Sequence, residues 1–176
     1  MKIAISPRKS SPSPKVKTPT IRRAKSVNIK RILVPLDGSD AALKALTYAA
    51  SLAELFGARI DTIRVNEPTI YPDALAIPQY SFEQNELVAK LARQQSQEAG
   101  ERLIPDAVEW RNCVMTGNPY VEIVNYARKE NIDLLIVTTH GHTGLKHFLM
   151  GSNAEKIIRH APCPVLVVRD LEHDFV

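Results

Sequence analysis

Five short apolar runs, separated by four segments of helical spacing, constrain this chain more than any other feature. The runs are Arg31–Leu36, Arg59–Val65, Val108–Met115, Asp133–Thr138 and Pro164–Val168. Each has the length of a buried strand and is too short for a buried helix. Between the first two, Ser39 is placed to cap a helix whose apolar face is Leu43, Leu46, Ala50 and Ala53, ending near Gly57. Asn66–Tyr80 carries Pro68, Pro72 and Pro78 and reads as an irregular loop. Ser81 with Gln84 makes a capping box for a long helix through Leu87, Leu91 and Leu103. Asn118 followed by Pro119 starts a third helix. A fourth runs from Ser152 to about His160, with Ser152 as its cap and Glu155 completing a capping box.

Strand and helix in regular alternation predict an α/β fold: an open five-stranded parallel sheet with helices on both faces. In such sheets a ligand lies outside the carboxyl ends of the strands, where the strand order reverses. For a strand order of 3-2-1-4-5, the order expected here, that point falls between strands one and four. The residues that follow Leu36 and Val137 are therefore expected to meet in one cleft. Asp37 stands in the first position, and a glycine-bearing loop follows the second.

That loop holds Gly141, Gly144 and Gly151, three of the chain's 7 glycines, and leads directly into the fourth helix. The N–H groups of a first helical turn lack internal partners, and the helix dipole favours negative charge there, so a strand–loop–helix junction suits a phosphate. The N–H groups of Gly151, Ser152 and Asn153 are the expected donors, and Gly151 permits close backbone approach. Each feature also has a plain reading. Ser152 serves as a cap, Gly141 and Gly144 as turn residues, and Asp37 with Gly38 and Ser39 as an Asx-turn. The spacing of Gly141, Gly144 and Lys146 is not that of a Walker motif, and no G-x-G-x-x-G follows the first strand. His140 and His142 flank Gly141 and offer a general acid or base, or simply hydrogen-bonding loop residues. His147, His160 and His173 show no metal-ligand spacing.

Charge divides the chain. Residues 1–28 contain eight basic and no acidic residues; removing them from the chain's 23 basic residues leaves 15 against 19 acidic, a net charge of −4 for the body against +4 for the whole. The body is thus no candidate for a nucleic-acid surface. The tail, rich in Ser and Pro, cannot bury enough apolar area to fold and is expected to be disordered. It reads as a solvated tail, as an electrostatic clamp for nucleic acid or an anionic surface through Arg22, Arg23 and Lys25, or as a transit peptide, which its prolines oppose. Ser6, Ser11, Ser13 and Thr18 each precede a proline and are candidate phosphorylation sites. No run approaches membrane-span length and no secretory signal is read, so a cytoplasmic location is expected. Cys113 and Cys163 form no disulfide framework and read as small apolar side chains.

Several segments together resemble the universal stress protein family over almost all of 29–169. The opening KRILVPLDGS (Lys30–Ser39) and the closing HAPCPVLVV (His160–Val168) are similar to the family's ends. The family's ATP-binding members carry Gly, two residues, Gly, nine residues, Gly and then Ser or Thr. Gly141, nine residues, Gly151 and Ser152 match that pattern, while Thr138 stands at the first glycine position. The resemblance implies a Rossmann-like domain over 29–176 that acts as an ATP-binding sensor or regulatory module in stress response. It implies Asp37 and the Val65 backbone at adenine, and Pro35 and Thr138 near the ribose, with Leu36 in the same pocket. Gly141, Gly151, Ser152 and Asn153 would then hold phosphates, with Mg²⁺ or Mn²⁺ bound through phosphate oxygens and water. A homodimer through Val165–Val168 is implied as well. A nucleotide-free dimeric interaction protein of the same fold and a slow ATPase using His140 or His142 are the alternatives.

Overall fold

The apolar runs pair side by side into one sheet. The computed structural model describes residues 26–68, 78–139 and 151–169, with backbone alone at 78–82. Five strands are present among them: β1 (Arg31–Pro35), β2 (Arg59–Asn66), β3 (Trp110–Thr116), β4 (Leu134–Thr138) and β5 (Val165–Val168). Four helices connect them: α1 (Asp40–Phe56), α2 (Pro78–Leu103), α3 (Pro119–Lys129) and α4 (Ser152–His160). All four strand pairings are parallel, as the alternation predicts, and the order is the expected β3-β2-β1-β4-β5.

Alternating side chains divide the core into two layers. Ile32, Val34 and Leu36 of the first strand and Ile60 of the second join Ala42, Leu46, Ala49 and Ala53 on the α1 face. Leu33, Ile63, Leu135 and Val137 join Ile123, Ala127 and Ile157 of α3 and α4 on the opposite face. β1, at the centre, is closed to solvent on both sides, with Ile32, Leu33 and Val34 each fully buried.

Local signals set most of the boundaries. Ser39 Oγ accepts the Ala42 N–H at 3.2 Å and caps α1, while Gly57, at φ +60°, ends it in the left-handed conformation. Pro119 begins α3, although the Asn118 side chain makes no cap bond there. Asp133 ties two strand starts together: one carboxylate oxygen accepts the N–H of Lys30 at 2.9 Å and of Arg31 at 3.0 Å.

Two boundaries differ from the sequence reading by more than one residue. α2 begins at Pro78, three residues before Ser81, so part of the expected loop is helix; 69–77 lie outside the described residues. β3 begins at Trp110, because the Val108 N–H is spent on a turn to Pro105 O at 2.9 Å. Val108 itself is buried in the core. Both cysteines are free. The tail residues 1–25 lie outside the described residues.

Candidate functional site

Register brings the predicted residues together. β1 pairs with β2 from Arg31↔Arg59 through Pro35↔Ile63, and the Leu36 N–H continues the ladder to Ile63 O at 2.8 Å. One step further, the same register sets Asp37 beside Val65. On the other side β1 pairs with β4 at Ile32↔Leu134 and Leu33↔Leu135. Extended along the strands, that register sets Leu36 beside Thr138 and Asp37 beside Thr139. The Gly151 N–H then bonds Thr139 O at 2.9 Å, which pins the start of α4 to the end of β4. Pro35, Leu36, Asp37, Val65, Thr138, Gly151, Ser152 and Asn153 thus fall at the carboxyl ends of β1, β2 and β4 and the start of α4. Gly141, His140, His142, Gly144 and Lys146 lie outside the described residues.

The Asp37 turn is built as its sequence suggests. Asp37 Oδ1 accepts the Ser39 N–H at 2.9 Å and the Ser39 hydroxyl at 2.6 Å, an Asx-turn that passes directly into the α1 cap. Gly38 adopts φ +87°, in the left-handed region. A Cβ there would stand 3.2 Å from Arg64 Nη1, so the guanidinium packs against bare backbone. Arg64 Nη1 is also held by Gln95 Oε1 at 3.2 Å. The carboxylate is thereby fixed in orientation at the end of β1 by its own loop.

The start of α4 departs from the capping-box reading. Gly151, not Ser152, is the N-cap residue, and no side chain caps the helix. Glu155 makes its bond instead to Arg159 at 2.8 Å, one turn further along. The physical reason is tertiary: the bond from Gly151 to Thr139 fixes where the chain turns, and Ser152 becomes the first helical residue. Two consequences bear on the site. The Gly151 N–H is already committed and is not a donor for a ligand. The N–H groups of Ser152 and Asn153 fall in the first turn, where helix geometry provides no acceptor. The first intrahelical bond runs from Glu155 N to Gly151 O, at 3.0 Å.

Two residues at this edge were not singled out by sequence reasoning: Arg64 and Asn66, which flank Val65. Strand alternation was the available signal, since it puts both on the face opposite Val65. Away from this edge, a surface cavity of about 440 Å³ runs along the outer side of β3, lined by Asn112, Cys113, Met115 and Tyr126 among others. It contains none of the residues above and lies at the far edge from the strand-order reversal. Among the described residues no group of three His, Cys, Asp or Glu side chains gathers as for a metal.

Comparison with known proteins agrees with the architecture. The model of the universal stress protein family matches residues 28–169. The universal stress protein MJ0531 of Methanocaldococcus jannaschii is 37% identical over 144 residues, covering 80% of this chain and 82% of the relative. The solved structure of the hypothetical protein MJ0577 from the same organism superposes with a TM-score of 0.72 at 27% identity. It covers 84% of this chain and all of that one. A universal stress protein from Archaeoglobus fulgidus, solved in complex with dAMP, shares the fold with a TM-score of 0.51 at 19% identity, covering 81% of this chain and 99% of that one.

Proposed function

The chain belongs to the universal stress protein family, and from that premise we propose that it is an ATP-binding regulatory module and not a fast enzyme. The observation that carries the reading is the convergence at the sheet edge. The first turn of α4, with Ser152 and Asn153, follows β4, and a carboxylate is held at the end of the neighbouring β1. The phosphates are assigned to the amides and the helix dipole. The base is assigned to the Asp37 and Val65 side, which keeps the carboxylate away from the phosphates. Pro35, Leu36 and Thr138 lie between, where the ribose would sit; Gly141 adds to the phosphate loop. The dAMP complex of the Archaeoglobus protein supports a nucleotide in this fold. Mg²⁺ or Mn²⁺ would be bound by phosphate oxygens and water.

β5 supports the homodimer. It pairs with β4 on one side, and Val165, Leu166 and Val167 remain part-exposed. An apolar edge of that kind needs cover, and a second copy supplies it. No helix among the described residues is long and apolar enough to cross a membrane; a cytoplasmic place is part of the proposal.

Ser152→Pro tests the phosphate assignment. Proline is well tolerated at the first helical position and removes only an N–H that the helix does not use. Gly151 already has the extended conformation a residue before proline prefers, φ −55° and ψ 140°. Titration calorimetry with ATP and Mg²⁺ is expected to show saturable heat below about 1 mM for the parent chain. Ser152→Pro should weaken binding about tenfold with thermal stability kept. Absence of heat up to millimolar nucleotide would favour the nucleotide-free dimer instead.

A further inference from the structure

We propose that the side-chain amide of Asn66 donates a hydrogen bond to the base of the bound nucleotide, a specificity contact additional to Asp37 and Val65. The proposal rests on the nucleotide reading above.

The first observation is an unmet donor. Nδ2 of Asn66 is shielded from solvent and has no hydrogen-bond partner among the described residues. A shielded, unpaired amide is rare in folded proteins and calls for an explanation. The backbone around it is fully engaged: Asn66 pairs with Thr116 in the β2–β3 ladder, and its carbonyl accepts the Gly117 N–H at 3.0 Å. The main chain is held, and the side chain alone lacks a partner.

The second observation is position. Asn66 is the last residue of β2, at the carboxyl edge. The β1–β2 register, extended, sets it beside Gly38. Alternation puts it on the same face as Arg64, whose guanidinium rests on Gly38. β2 lies two strand spacings, about 10 Å, from β4 and the amides of α4. A nucleotide with its phosphates at α4 therefore lays its base, not its phosphates, over the end of β2.

Chemistry closes the argument. Ionised Asp37 only accepts hydrogen bonds, so it can meet an exocyclic amine but not a ring nitrogen. Asn66 Nδ2 only donates, and suits a purine ring nitrogen. The free protein keeps a donor unsatisfied, and the base satisfies it on binding.

Calorimetry of the full chain with ATP and Mg²⁺, paired with thermal melting of the free protein, tests this on Asn66→Leu. The expected result is an ATP affinity about tenfold lower with a melting temperature equal to the parent's or higher, because the substitution removes an unpaired buried donor. Unchanged affinity overturns the inference and leaves the nucleotide reading standing. Affinity lost together with a melting temperature lower by roughly 4 °C or more assigns Asn66 to the fold and also overturns it. A parent chain that binds no ATP overturns both. Should leucine fail to pack, Asn66→Ala removes the same donor without added bulk and is judged by the same outcomes.

Discussion

Asp61 is a carboxylate with no solvent exposure, placed in the middle of the sheet. It persists there because its charge is paired. Arg59 grips both oxygens, Nε to Oδ1 at 2.8 Å and Nη2 to Oδ2 at 2.9 Å, in the two-point geometry that a guanidinium favours. The Tyr126 hydroxyl adds a bond to Oδ2 at 3.3 Å and lies 3.2 Å from Cys113 Sγ. Burial, then the contact with Cys113, then the negative charge of Asp61 all push the Tyr126 pKa upward, so the phenol stays protonated as a donor. The linkage has a definite sign. A raised folded pKa contributes stability that is complete below the unfolded value, about 10, and fades as pH climbs toward the folded value. Tyr126→Phe should cost about 1 kcal/mol at neutral pH by losing the bond to Asp61. The parent's advantage over Tyr126→Phe should then shrink above about pH 10. Urea unfolding at neutral and alkaline pH measures it, and a gap that stays constant or widens contradicts the assignment.

At the scale of elements, α2 packs closely on β3. A Cβ on Gly100 would meet the Trp110 ring atoms at 2.3, 2.4 and 2.9 Å. Alanine is the better helix former by about 1 kcal/mol, but here it must displace an indole. Overpacking of this kind typically costs about 1–3 kcal/mol, so Gly100→Ala is expected to destabilise by about 1 kcal/mol net. The chain's single tryptophan reports it directly: its emission should move to longer wavelength as the ring is pushed outward. A more stable variant with unshifted emission refutes the packing argument. The elements also show where sequence signals suffice. Ser39 and Gly57 carry their own conformational preferences, and α1 begins and ends where they stand. Ser152 carries an equally good local signal and is not the cap, because a bond from another part of the chain, Gly151 N to Thr139 O, wins the position. Val108 is apolar enough for a strand and buried like one, yet a turn bond to Pro105 keeps it out of the ladder.

For the whole molecule, the exposed side of β5 predicts association. Sedimentation equilibrium should return twice the 19.6 kDa of one chain; a single-chain mass at micromolar concentration removes the dimer from the proposal. The alternation of strands and helices, by contrast, was legible without coordinates. Periodic apolar runs and capping residues act over a few residues, and the right-handed crossover leaves few ways to join five parallel strands. Sequence alone therefore determined the α/β class, the parallel sheet and the carboxyl edge at which Asp37 stands. The tertiary structure decided which groups at that edge are already spent: Gly151's amide on Thr139, one oxygen of Asp37 on its own turn, Arg64 on Gly38 and Gln95, and Asn66 Nδ2 on nothing among the described residues. The reason is physical. Local propensity sets where a strand or helix forms, but whether a donor has a partner depends on atoms brought close by register, from residues far apart in the chain.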